Sequence, residues 1–162
     1  ATGPAGPQGA TGPAGPQGPG SRYFFNQSRT VTPITSTSIF VPVISLVVTT
    51  TVPGERVRLD SMVGTIINMG AGSNYSFQLF YRIVRSPSTE LTLVEYTDQA
   101  MEKVNGSTAR HGDFQNLTWT DIPPAPGTYT YSVEINRSGE ANITNVAVGD
   151  RSLDAIVFPP AP

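Results

Sequence analysis

The sequence predicts an all-β protein: an antiparallel jelly-roll β-sandwich over residues 38–162, joined by a neck at 21–37 to a triple-helical segment at 1–20. Three observations predict it. Runs of β-branched and aromatic residues alternate with period two. Gly, Pro and Asn turn signals interrupt those runs about every eight to twelve residues. Ahead of them, glycine recurs at every third position from Gly3 to Gly18.

Taking the chain in order, glycine stands at Gly3, Gly6, Gly9, Gly12, Gly15 and Gly18, and each is followed by proline except Gly9, which precedes Ala10. In a collagen triple helix every third residue faces a shared axis too crowded for a side chain. Proline in the next place presets the polyproline II backbone. A flexible Gly/Pro linker shares the composition but not the strict spacing, so the register selects a triple helix with these six glycines on its axis. The third places hold Ala5, Gln8, Thr11, Ala14 and Gln17, with no proline among them. Stabilisation by hydroxyproline is therefore not expected, which points toward bacteria or their viruses. Such a rod is about 55 Å long at roughly 3 Å per residue, and the repeat leads us to expect a longer stalk upstream. The register ends at Ser21, where the next glycine is due.

The neck "SRYFFNQSRTVTPITST" carries three consecutive aromatics, Tyr23, Phe24 and Phe25. They are candidates for packing around a three-fold axis beneath the head or for docking onto a neighbouring chain. From Ser38 the patterns are those of strands. "SIFVPVISLVVTTTV" is rich in β-branched residues, and Pro42 argues for an edge position or a bulge. After a turn at "PGE" (53–55), "RVRLDSMVGTIINM" places Val57, Leu59, Val63 and Ile67 on one face and Arg56, Arg58, Asp60 and Asn68 on the other. "GAGSN" turns the chain into "YSFQLFYRIVR", with Tyr75, Phe77, Leu79, Tyr81 and Ile83 on one face. "SPS" (86–88) leads to the strand "ELTLVEYT". Residues 98–112, "DQAMEKVNGSTARHG", read as a surface loop with a short helical piece at "DQAMEK" and a turn at Asn105-Gly106. The strand "DFQNLTWTDI", the turn "PPAPG", the strand "TYTYSVEINR", the turn "SGE" and the strands "ANITNVAVG" and "SLDAIVF" complete the chain. In "TYTYSVEI" the inward set is Tyr129, Tyr131, Val133 and Ile135.

A glycine-triplet stalk followed by such a sandwich resembles the collagen-like spore-surface filament proteins of Bacillus and relatives, found in the exosporium and in spore appendages. In the head the resemblance rests on "LTWTDIPPAPGTYTYSVEI" (117–135) and the closing "LDAIVFP" (153–159). It implies a C-terminal head with a tumour-necrosis-factor-like jelly roll, a homotrimer, and extracellular display at a fibre tip on a spore or cell surface. It also implies attachment to the filament or spore surface through the N-terminal side, and a structural role in adhesion or surface shielding. The aromatics Phe77, Tyr81, Trp119, Tyr129 and Tyr131 are then candidates for the core or for the trimer axis, with alternation favouring the core. The alternative is the receptor-binding tip of a phage tail fibre or another ligand-recognising head, with 68–74 and 98–112 as contact loops. An unidentified surface or glycan ligand is compatible with either.

No enzymatic chemistry is expected. His111 is the single histidine, with Asp113 two residues away, and a lone histidine in a loop is a solvated side chain more often than a ligand or base. No G-x-S-x-G nucleophile turn, phosphate loop or calcium-loop spacing is present. The absence of cysteine excludes disulfides and thiolate metal sites. Neither a metal nor a cofactor is expected. Ten basic and twelve acidic residues give a net charge of −2, so no nucleic-acid partner is expected. No apolar run approaches the roughly 20 residues of a membrane-spanning helix, so no membrane insertion is expected. Charged residues make up 14% of the chain, with one lysine, Lys103, amid abundant Thr, Ser and Asn, and this composition suits an extracellular surface. N-x-S/T sequons occur at Asn26, Asn74, Asn105, Asn116, Asn136 and Asn142 and are read as coincidental in a bacterial chain, whereas O-linked sugar on Thr11 fits a surface glycoprotein.

Overall fold

The structure, a computed structural model, describes residues 20–35, 39–87, 93–102 (backbone only) and 106–161. The glycines expected on a stalk axis, Gly3 to Gly18, lie outside the described residues, as do Ser36–Ser38, Lys103 and Asn105.

Nine strands occur among the described residues: β1 (Arg22–Ser28), β2 (Thr32–Pro33), β3 (Val41–Thr50), β4 (Arg56–Met69), β5 (Asn74–Ser86), β6 (Leu93–Glu102), β7 (Ala109–Asp121), β8 (Gly127–Ala141) and β9 (Ile143–Phe158). They form two antiparallel sheets. One has the order β1-β9-β4-β7, with β2 also paired to β9, and the other has the order β3-β8-β5-β6. Most connections pass from one sheet to the other, a jelly-roll-like course that lets each apolar face close over its neighbour.

The alternation read from the sequence decides which faces meet. Val57, Leu59, Val63 and Ile67 of β4 and Val146, Val148, Leu153, Ala155 and Val157 of β9 oppose Phe77, Leu79, Tyr81 and Ile83 of β5 and Tyr131, Val133 and Ile135 of β8, all buried. Each large side chain so buried contributes about 1.5–3 kcal/mol, which makes this layer the main source of stability. Hydrogen bonds also tie the layers together. The Tyr81 hydroxyl donates to Thr65 Oγ1 at 3.1 Å across the core. Arg151, inward-facing and buried, donates through Nε to Val43 O of the other sheet (2.7 Å) and through Nη1 to Thr30 O (2.7 Å) and Gly149 O (2.8 Å). Its Nη2 donates to Thr32 Oγ1 at 3.0 Å. Burial holds this guanidinium below its ordinary pKa.

Pro42 stands at a β-bulge, where the β3–β8 register shifts between Pro42 and Ile44, and β3 is the edge of its sheet. There the missing N–H costs no ladder bond. Several expectations are corrected. The neck at 21–37 is largely part of the sandwich: β1 pairs with β9 from Arg22↔Val157 to Ser28↔Arg151, and Ile34 is fully buried in the core. The loop expected over 98–112, with a helical piece at "DQAMEK", is instead occupied at both ends by strand. β6 runs on to Glu102 in register with β5 (Phe77↔Gln99, Asn74↔Glu102), and β7 already begins at Ala109, so His111 and Asp113 are strand residues. "SGE" is not a turn. Gly139 (φ 59°) sits beside a register irregularity inside β8, and the chain changes sheets at Asn142 (φ 55°) instead. The last two strands expected are one, β9, with a bulge opposite Gly64 where the register shifts between Val63 and Thr65.

Candidate self-association surface

The outward face of the sheet β1-β9-β4-β7 is where the neck aromatics emerge. Because β1 alternates, Phe24 turns inward and packs against the core, while Tyr23 and Phe25 point outward, 62% and 60% exposed. Their rings stack at 5.7 Å between centroids with 17° between planes. Cross-strand register extends this row over the sheet: Tyr23 lies beside Ile156 and Arg58, and Phe25 beside Asp154 and Asp60.

Asp154 and Asp60 are directly opposed on β9 and β4. Like charges so placed repel, and donors from the flanking strands relieve them. The Tyr23 hydroxyl donates to Asp154 Oδ1 at 2.8 Å, and Thr118 Oγ1 donates to Asp60 Oδ1 at 2.8 Å. Arg58 Nε donates to Asp60 Oδ2 at 3.2 Å. The hydrogen bond to Asp154 holds the Tyr23 phenol above its ordinary pKa, with partial burial and the Asp154 charge adding to it.

Farther along the same face Phe114, 61% exposed, lies over Gly64. A Cβ at Gly64 would meet Phe114 Cε1 at 2.8 Å and Asp150 O at 3.1 Å, so only glycine lets the ring lie down on the sheet. Three shallow depressions of about 450, 310 and 370 Å³ run across this face, the first two meeting at Met62 and Ser152 and the first and third at Asp150. The face thus combines exposed aromatic rings, half-buried Met62 and Ile66, and a carboxylate row.

The other candidate aromatics fall elsewhere. Phe77, Tyr81, Tyr129 and Tyr131 are buried inside the sandwich by their own chain. Trp119 has inward parity, opposite Leu59, yet is 41% exposed because β7 is the last strand of its sheet. His111 faces Phe77 at 5.9 Å between ring centroids, and the Asp113 carboxylate is engaged by Phe114 N–H and Gln115 Nε2. Among the described residues no group of three or more metal-ligating side chains comes together. Sequence reasoning did not single out Met62, Gly64, Ile66 and Phe114. The signal was present in the parity of β4 and β7, which places these residues opposite the core set.

No family model matches the chain, and no curated protein matches it. Among solved structures it is similar to a chain of the "Structure of infectious bursal disease virus Gx strain", at 10% identity and a TM-score of 0.39, covering 85% of this chain and 32% of that one. The chain therefore spans about a third of the length of that viral chain.

Proposed function

We propose that this chain is a structural surface-filament protein whose C-terminal sandwich, a tumour-necrosis-factor-like head, trimerises to align and cap a collagen-like stalk, serving adhesion or shielding at the tip of an extracellular fibre on a bacterial spore or cell. The observation that carries the reading is the junction. The glycine register ends one residue before β1, and β1 delivers Tyr23 and Phe25 to an exposed sheet face. Three stalks must align before glycine can reach a common axis, and that alignment is entropically costly for free chains. Heads closing into a ring bring the stalks to a high effective concentration in one register. A three-fold ring needs two different patches on each copy. The outward face of β1-β9-β4-β7 supplies one, and the β7 edge with Trp119 and Ile122 supplies an exposed apolar counterpart.

Circular dichroism of the full chain tests the reading. A cooperative polyproline-type melting transition is expected, and Gly9→Ala is expected to abolish it while leaving the β signal. No such transition, or one indifferent to Gly9→Ala, contradicts the stalk.

A second reading, a ligand-recognising head such as a phage fibre tip, is favoured by one contact. Gly106 N–H donates to Ala71 O at 2.8 Å, joining two connections at the end of the sandwich opposite Gly20. On that reading, substitutions at Ser73 and Thr108 abolish attachment to the target surface without changing the oligomeric state.

A further inference from the structure

The chain reaches the sandwich through Gly20, at the end shared by the 51–55 turn and Pro159. From there β1 runs toward the opposite end, antiparallel to β9. A pull on Gly20 that is resisted at the opposite end of the sandwich acts along the strand and loads all seven residue pairs from Arg22↔Val157 to Ser28↔Arg151 together. Bonds loaded side by side share a force, whereas bonds opened from one end break in turn. At the near end Arg22 Nη2 donates to Glu55 Oε1 at 2.8 Å.

Beyond β1 the Arg151 guanidinium grips Thr30 O and Thr32 Oγ1 while holding Gly149 O and, on the other sheet, Val43 O. Detaching the 30–32 segment strips a buried cation of two acceptors, and unpaired buried donors are costly. Ile34 then plugs the core, its N–H donating to Val146 O at 2.8 Å. Its release exposes a fully buried side chain.

We propose that residues 22–34 form a load-bearing strap that carries tension from the N-terminal stretch into the sandwich, with Arg151 as its lock. The inference rests on the reading of residues 1–20 as a stalk. It assigns a mechanical role to a buried arginine and to the segment that edges the sheet.

Single-molecule pulling on the full chain tests it in two geometries. In one, force runs between the N-terminus and the thiol introduced by Thr108→Cys, an exposed site beyond β6 in a chain without native cysteine. In the other, force runs between the two termini, which peels β1 from β9 starting at Arg22↔Val157. The axial rupture force is expected to exceed the peeling force by at least about twofold, since forced unfolding reads the barrier to rupture. Arg151→Met and the milder Thr32→Val are expected to lower the axial force and leave the peeling force unchanged. Arg82→Met, which removes an ion pair with Glu134 on the outer face of the other sheet, should change neither. Equal forces in the two geometries, or an axial force untouched by both Arg151→Met and Thr32→Val, overturn the proposal. Light scattering on the same samples reports association separately: a monomer that keeps the force difference contradicts the trimer and leaves the lock standing.

Discussion

Arg85 Nη1 lies 2.6 Å from Asp121 Oδ2, and that same buried oxygen also accepts the Tyr131 hydroxyl at 2.6 Å. The contact joins β7 of one sheet to β5 and β8 of the other near the end where Gly20 enters the sandwich, while Arg85 also lies over the Tyr129 ring at 5.4 Å. A buried pair of this kind offsets its own desolvation, but removing one partner leaves an uncompensated charge. Asp121→Asn is therefore expected to lower unfolding free energy by about 3 kcal/mol. Tyr131→Phe, which removes one neutral donor to that carboxylate, should cost less, about 2 kcal/mol. Urea titration of the two variants checks the ranking.

The same cluster sets behaviour in alkali. Burial raises the Tyr131 phenol well above its ordinary value, and the hydrogen bond from Tyr131 to Asp121 adds to the shift. A pKa raised on folding means that the unfolded chain releases its proton first. The associated stability is fully present below the unfolded value, near 10, and is lost as pH rises beyond it. Stability measured from pH 9 upward is expected to fall, with a shallower fall in Tyr131→Phe.

Glu55 predicts the opposite limb. Burial alone raises its pKa, but Thr51 N–H, Val52 N–H and Arg22 more than offset this, and the net shift is downward. The carboxylate thereby closes the 51–55 turn between the sheets, in which Gly54 takes φ 80°. A depressed pKa gives stability that is present above the unfolded value, near 4.3, and lost as pH falls through the folded one. Glu55→Gln is expected to lower the urea midpoint at neutral pH, with the gap to the unmodified chain closing in acid.

Gly64→Ala tests the flat aromatic contact. The new methyl meets the Phe114 ring at a distance real side chains do not tolerate, and the Asp150 carbonyl at one that requires it to give by a few tenths of an ångström. The ring must lift and β9 must shift, at an expected cost of about 1 kcal/mol. Because Phe114 lies on the proposed interface, the variant should also weaken association, which sedimentation at falling concentration reads.

The inward faces were legible wherever one side of a strand is apolar and the other polar, as in "RVRLDSMVGTIINM", whose bounds coincide with β4. Legibility failed where that contrast vanishes. "RYFF" carries rings on both faces, one set for the core and one for the outer surface, so period two disappears and β1 reads as a neck. "DQAME" is polar at nearly every place, and it joins the sheet through backbone pairing with β5. Gly139 and Gly149 resemble turn residues, yet both sit at or beside irregularities inside long strands. For the candidate surface, the sequence disclosed Tyr23 and Phe25. It did not disclose Met62 or Phe114, whose meaning depends on which strands become neighbours.

The measurement that bears most directly on the account is the solution mass of the full chain at micromolar concentration, by sedimentation or light scattering. One copy weighs 17.2 kDa. A particle of about three copies is expected, reduced to one by the paired substitutions Phe25→Asp and Met62→Asp on the outer sheet face. A single-copy particle from the unmodified chain, or a trimer indifferent to both substitutions, contradicts it.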